Sequence, residues 1–186
     1  MILLIGRCCE KLIPYLDSIR EDYCFVPDEK IDSDLVKQHN FSFLVSFGYR
    51  YILTKDILDE FPDKAINLHI SYLPWNKGSD PNLWSFVEST PRGITIHHLD
   101  EGLDTGDIIV QDKIFFDEKE TLISTYQTLI HEIVHLFKAN WLDIKNGDSS
   151  RQKQTEKGSY HCSKDKAALY ELLKDGWNIP VSMFGG

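Results

Sequence analysis

The four cysteines, Cys8, Cys9, Cys24 and Cys162, contain no CxxC pair. That spacing argues against a cysteine zinc cage, and the adjacent Cys8-Cys9 makes a poor start to a disulfide framework, so reduced thiols in a cytoplasmic protein are expected. Long hydrophobic runs are missing as well. The opening Ile2-Leu3-Leu4-Ile5 stretch is followed at once by Arg7 and Glu10; it is far short of the roughly 20 apolar residues of a bilayer span and reads as a buried strand. Positive charge is scarce: 20 Lys and Arg stand against 29 Asp and Glu, a formal charge of -9 with no basic cluster, which disfavours nucleic acid as the main partner. Internal repeats, low-complexity tracts and linkers are also absent, and 186 residues fit one domain.

What is present is an alternation of short apolar runs with helix-period segments, the pattern of an α/β sheet with helices on its faces. Strands are expected over Met1–Ile5, Tyr23–Val26, Phe41–Phe47, Ala65–His69, Ile94–Leu99 and Asp107–Phe116. A helix from Cys9 to Arg20 is expected to bend at Pro14, a short one to follow a Ser33 cap, and another to run from a Thr54 cap to about Glu60. Asn82–Val87 also reads as helical. The longest amphipathic pattern runs from Thr121 to about Leu142, with Leu122, Tyr126, Leu129, Ile133, Phe137 and Trp141 on one stripe. After Gly147 the chain reads as a polar loop over Ser149–Lys157 and a last helix over Ser163–Lys174 with a Ser cap. Residues 1–146 are expected to form the catalytic domain and 147–186 an extension packed on it.

Candidate chemistry concentrates in two stretches. Asn67-Leu68-His69 lies where a strand gives way to a loop, the place where open α/β sheets form their ligand crevice. Residues two apart in an extended segment point the same way, so Asn67 and His69 address one centre while Leu68 packs behind. Asp104 sits between Gly102 and Gly106, whose freedom in φ lets a loop turn close to a ligand. An amide, an imidazole and a carboxylate together supply an oxyanion donor, a proton acceptor and a group to orient that acceptor, which suits acyl transfer.

The motifs Asn67-x-His69, Ser71-x-Leu73-Pro74 with Gly78, Thr95-Ile96-His97 and the loop from Asp100 to Ile109 occur in one order. In that order the chain resembles the formyltransferases that use 10-formyltetrahydrofolate, from about Phe41 to about Gln111. The resemblance implies a Rossmann-like formyltransferase fold, single-domain, with a mostly parallel central sheet and helices on both faces. It implies a catalytic triad of Asn67, His69 and Asp104, 10-formyltetrahydrofolate as co-substrate, and no metal. The folate would lie against Phe47, Gly48, Tyr49, Arg50, Tyr51 and Ile52 and against Leu99 and Leu103.

Three acceptors compete. Glycinamide ribonucleotide enzymes carry a glycine-rich phosphate loop after the first strand, where this chain reads Gly6-Arg7-Cys8-Cys9-Glu10 and lacks most of the N–H cradle a phosphate needs. Methionyl-tRNA as acceptor calls for a basic surface and an added domain. The loop from Leu73 to Asn82 looks most like the sugar N-formyltransferases acting on nucleotide-linked 4-amino-4,6-dideoxy sugars, such as dTDP-4-amino-4,6-dideoxyglucose, for surface polysaccharide. Its Trp75, Asn76, Lys77, Asp80 and Asn82 are the expected sugar-nucleotide contacts, and a homodimer stays open. A rival motif, His131-Glu132-Ile133-Val134-His135, matches the HExxH of zinc peptidases, with Glu156 as third ligand. The helical wheel turns both histidines away from the buried stripe, toward solvent. A non-catalytic sugar-binding module on the same fold is the remaining alternative, and it leaves the imidazole beside the amide without a purpose.

Overall fold

The computed structural model describes residues 1–174 and 176–184. Six strands form the main sheet: β1 (Ile2–Ile5), β2 (Tyr23–Val26), β3 (Phe43–Phe47), β4 (Ala65–His69), β6 (Gly93–His98) and β7 (Ile108–Lys113), in the order β2-β1-β3-β4-β6-β7. The first four are mutually parallel, while β6 runs antiparallel to β4 and β7 antiparallel to β6. The sheet is therefore mostly parallel, with β6 alone reversed; the α/β fold expected from the alternation is present, as is the Rossmann-like architecture that the resemblance implies.

Alternation along the strands sorts the two faces. Ile2, Leu4, Val45, Ile66, Leu68, Ile94 and Ile96 form one core with the stripe of the long helix α5 (Leu122–Asn146). Leu3, Ile5, Leu44 and Ala65 form another with Val36 of α2 (Ser33–His39) and Ile57 of α3 (Lys55–Leu58). Asn67, His69, Thr95 and His97 share this second face, because Asn67 pairs with His97 and His69 with Thr95 across the β4–β6 ladder. There the two short helices give way to loops, and a polar floor replaces the apolar one.

The element bounds follow local chemistry. A 3-10 turn over Arg7–Leu12 precedes α1 (Ile13–Ser18), because Pro14 lacks an N–H and sits best in a first turn, so the expected single helix breaks in two. Asp32 caps α2, taking the Leu35 N–H at 2.9 Å in place of the expected Ser33. Thr54 stands before α3, yet its side chain makes no cap bond. Helix α4 (Pro81–Val87) gains Pro81 at its first turn. Thr121 and Ser124 form a reciprocal capping box on α5, which runs one turn past Leu142 to a left-handed Gly147. The expected last helix is a 3-10 turn over Asp165–Leu169 and a short α6 (Tyr170–Leu173), with no Ser163 cap.

The segment after Gly147 is tied to the sheet. Gln152 exchanges backbone hydrogen bonds with Ile108, and Tyr160–His161 (β8) pairs in parallel with Lys77–Gly78 (β5). Gln154 donates to the carbonyls of Asp104 and Gly106 at 2.9 and 2.8 Å. Residues 175, 185 and 186 of the expected extension lie outside the described residues. Among the described residues no helix is long and apolar enough to cross a membrane.

Candidate active site

Strand β4 carries Asn67 and His69 on the polar face, and the reversed β6 delivers His97 beside Asn67. The loop bearing Asp104 leaves β6 at the amino end of β4, where the Leu99 N–H donates to Ala65 O at 2.9 Å, and folds back over the face. The carboxylate thus comes from the opposite edge to the one expected for a strand-end crevice. Neither Gly102 nor Gly106 has a positive φ; the left-handed residue is Asp104 itself, at φ 53°, a conformation aspartate tolerates. Glycine is needed at 106 for room, since a Cβ there would stand 1.8 Å from the His98 carbonyl oxygen.

Asp104 is the hub. Its Oδ1 accepts from Asn67 Nδ2 at 3.1 Å and lies 3.4 Å from His97 Nε2. Its Oδ2 accepts from the Gly78 N–H at 2.8 Å and lies 3.6 Å from His69 Nδ1. Only 8% of Asp104 and 7% of His69 is exposed, so these charges act with little screening by water. Burial alone would raise the Asp104 carboxyl. The His69 ring, the His97 ring and the Gly78 N–H outweigh it and hold the carboxyl well below the usual range.

A depressed folded value has a definite sign. The unfolded carboxyl titrates near 3.8, so the stability contributed by ionised Asp104 is complete above about pH 4 and is lost as pH falls through the lower folded value. Thermal melts of the wild type and Asp104→Asn should therefore differ most near neutrality and converge toward roughly pH 2. A gap that stays constant with pH would show that Asp104 is not held as a carboxylate.

Ring protons follow from the partners. His97 Nδ1 donates to the His98 carbonyl oxygen at 2.7 Å, which leaves Nε2 a lone pair facing Asn67 Nδ2 at 3.3 Å. With its other N–H on Asp104, Asn67 has both N–H groups engaged; a flipped amide would set its oxygen against the carboxylate. The free polar atom of Asn67 is thus Oδ1, an acceptor, whereas the sequence pattern suggested an oxyanion donor. His69 Nε2 donates to the Asn76 carbonyl oxygen at 3.0 Å, so Nδ1 is the basic atom. The Asn76 carbonyl, more than Asp104, orients the imidazole.

Asn67, His69 and Asp104 line a cavity of about 570 Å³. Phe47, Gly48, Tyr49, Arg50, Ile52 and Leu103 border it, while Tyr51 and Leu99 border a small groove behind, so the eight expected folate contacts surround one end of the site. Ile52 and Leu103 are 71% and 41% exposed, leaving apolar surface on which a flat ring can lie. Phe47, by contrast, belongs to the core.

The five expected acceptor contacts fare differently, since none lines the main cavity. The Asn76 side chain is buried and donates to Thr90 Oγ1; Asn82 is buried and donates to Leu122 O and Thr125 Oγ1. Lys77 donates to the Lys157 carbonyl, Trp75 is half-buried in the loop, and Asp80 is paired with Lys166. Asp80 and Asn82 line an apolar slot of about 300 Å³ with Leu83 and Trp177, which shares Ile70, Pro81 and Tyr126 with the main cavity. Of the loop's other residues Gly78, Ser79 and Pro81 do line the main cavity, together with Tyr126, Tyr160, Cys162 and Ser163. His97 could have been found from the strand alternation, which sets it on the Asn67 face; nothing in the polar 149–157 stretch signals Gln154. His131 and His135 are exposed as the wheel requires, with ring centroids 4.4 Å apart. Among the described residues no cluster of three or more metal-ligating side chains forms.

The family profile described as Formyl transferase matches residues 21–138. The chain belongs to this formyltransferase family. A solved structure of the formyltransferase PseJ from Anoxybacillus kamchatkensis, in complex with UDP-4,6-dideoxy-4-formamido-L-AltNAc and tetrahydrofolate, is 46% identical over 100% of this formyltransferase and 97% of that chain, with a TM-score of 0.93. Methionyl-tRNA formyltransferase from Finegoldia magna is 32% identical over 70% of this chain and 42% of its own length. Phosphoribosylglycinamide formyltransferase from Bacillus subtilis is 36% identical over 54% of this chain and 51% of its own length. The chain thus spans about half, or less, of these two curated relatives.

Proposed function

We propose that this protein transfers a formyl group from 10-formyltetrahydrofolate to the amine of a nucleotide-linked 4-amino-4,6-dideoxy sugar in the cytoplasm. The observation that carries the reading is the buried Asp104 hub with His69 Nδ1 and Asn67 Oδ1 beside one cavity. The near-complete overlap with a protein solved with a UDP-linked 4-formamido sugar favours that acceptor over glycinamide ribonucleotide and methionyl-tRNA, and UDP over dTDP. The four cysteines are free, which suits a reducing compartment.

The folate supplies the formyl group and a nitrogen that leaves with a proton. Phe47 to Ile52, with Leu99 and Leu103, would hold it, the exposed faces of Ile52 and Leu103 covering its ring. Asn67 Oδ1 accepts one N–H of the acceptor amine and so aims its lone pair. His69 Nδ1 takes up the proton released as the new C–N bond forms, and the Asp104 carboxylate balances the imidazolium. His69 then returns that proton to the departing nitrogen, so no group on the enzyme is consumed. His97 fixes the Asn67 amide and, 3.4 Å from Asp104 Oδ1, helps to hold that carboxyl ionised. Residues 150–163 belong to this catalytic unit and are no mere appendage, because Gln154 and β8 brace the Asp104 loop and Gly78.

The test is tetrahydrofolate release at fixed 10-formyltetrahydrofolate, run in parallel with UDP-linked and dTDP-linked 4-amino-4,6-dideoxy sugars, glycinamide ribonucleotide and methionyl-tRNA. Turnover is expected with the UDP sugar above all. Turnover confined to glycinamide ribonucleotide or to the tRNA would sink the reading.

A further inference from the structure

The neutral His69 ring has two places for its proton, and its two nitrogens face different acceptors. Nε2 stands 3.0 Å from the Asn76 carbonyl oxygen, whereas Nδ1 stands 3.6 Å from Asp104 Oδ2. The carbonyl, at hydrogen-bond length, draws the proton to Nε2. Without it the carboxylate would draw the proton to Nδ1 and leave the lone pair on the nitrogen turned away from Asp104. The direction of the Asn76 carbonyl therefore decides which nitrogen is basic.

That direction is fixed from the far side of the loop. Asn76 is 1% exposed and left-handed, at φ 56°. Its backbone N–H donates to Ser159 Oγ at 2.9 Å, and the Lys77 N–H donates to Ser159 O at 3.0 Å. The Asn76 carbonyl and the Lys77 N–H belong to one planar peptide unit and point in opposite directions, so the Ser159 main chain holds one end of that unit while His69 takes the other. The Asn76 side chain completes the grip. Its Nδ2 donates to Thr90 Oγ1 at 2.8 Å, and its Oδ1 accepts from Ser159 Oγ at 3.2 Å. The earlier half of the loop is held separately, since Thr95 Oγ1 donates to Ser71 O at 2.7 Å and Gln111 Nε2 donates to Leu73 O at 3.0 Å.

Resting on the reading of His69 Nδ1 as the proton acceptor, we propose that Thr90 and Ser159 are positioning residues that set the His69 tautomer through Asn76. Neither lines the main cavity, so their part is played behind the loop and not on a ligand. Thr90 lies between α4 and β6, and Ser159 immediately before β8. Close packing keeps Ser159 in place: at Gly158, with φ at 63°, a Cβ would stand 1.9 Å from the Pro74 carbonyl oxygen.

The experiment is NMR of the His69 ring nitrogens, which shows where the proton sits. It is combined with steady-state kinetics on 10-formyltetrahydrofolate and a UDP-linked 4-amino-4,6-dideoxy sugar. The full chain is used as wild type, Thr90→Val, Thr90→Ser, Ser159→Ala and Thr125→Val. In the wild type the proton is expected on Nε2. Thr90→Val keeps the shape but not the acceptor, and Ser159→Ala frees the Asn76 N–H. Each should move a measurable share of the proton to Nδ1 and lower kcat on the order of tenfold, as misplacing a reacting group does, with both KM values little changed. Thr90→Ser, which keeps the hydroxyl, should restore both readings. Thr125→Val breaks a buried hydroxyl network around Asn82 instead; it should lower Tm and move neither the proton nor kcat. A proton that stays on Nε2 in both Thr90→Val and Ser159→Ala, or a Thr90→Ser that behaves as Thr90→Val, overturns the assignment and leaves His69 Nδ1 as the base. A wild type with its proton on Nδ1 overturns the assignment and that reading together.

Discussion

His69→Asn should lower kcat by a factor on the order of a hundred or more, the usual cost of removing a general base, while the protein melts within a few degrees of the wild type. His69 Nε2 donates to the Asn76 carbonyl oxygen at 3.0 Å, and the shorter asparagine amide gives up that single bond, a loss of about 1 kcal/mol. What it lacks is a basic atom facing Asp104. Loss of chemistry without loss of fold is therefore expected, read as a fall in kcat with the KM of both substrates little changed. Asp104→Ala should cost at least as much in turnover and more in stability, because it strips the acceptor from the Asn67 amide and from the Gly78 N–H. Near-normal turnover in His69→Asn would remove the proton acceptor from the proposed mechanism.

The second large effect is on stability. Trp141 is fully buried on the α5 stripe, its ring 5.0 Å from that of Phe137 in a stacked arrangement and 5.2 Å from that of Phe43 edge-on. Phe43 belongs to β3 at the centre of the sheet, so this contact holds the longest helix to the strands that aim Asn67 and His69. Trp141→Ala leaves a void that rigid neighbours fill only in part and should destabilise by about 3–5 kcal/mol. Against a total on the order of 5–15 kcal/mol that is a large fraction, and Tm should fall by roughly 10 °C. Urea unfolding measures it, and a change under about 1 kcal/mol with the slope unaltered would contradict the account of the core.

The sheet and the shared face of Asn67 and His69 were legible in the sequence because each rests on a short-range rule. Period-two alternation fixes that Asn67 and His69 face together, and period 3.6 fixes the α5 stripe and turns His131 and His135 outward. The shift of a cap from Ser33 to Asp32, and the break before Pro14, lie within the reach of the same rules applied more finely. What the sequence hid was long-range. Nothing local says that Asn76 would give its carbonyl to His69 while its amide bonds Thr90, or that the polar 149–157 stretch would brace the Asp104 loop through Gln154. The polar side chains of the 73–82 loop looked like ligand contacts because a buried turn and a binding loop draw on the same residue types. Only the three-dimensional pairing with Ser159, Leu122 and Lys166 separates the two uses. His97 falls between these cases: its face was readable, but its bond to Asn67 depends on the reversal of β6 and on the His98 carbonyl that fixes its tautomer.

The most direct measurement is a crystal structure of the wild-type chain with tetrahydrofolate and a UDP-linked 4-amino-4,6-dideoxy sugar. The amine nitrogen is predicted to stand within about 3 Å of both His69 Nδ1 and Asn67 Oδ1, the reach that proton transfer requires, with the Asp104 carboxylate on the same Nδ1 side of the ring. An amine seated elsewhere in the cavity, or meeting His69 through Nε2 with the Asn76 contact broken, would contradict it.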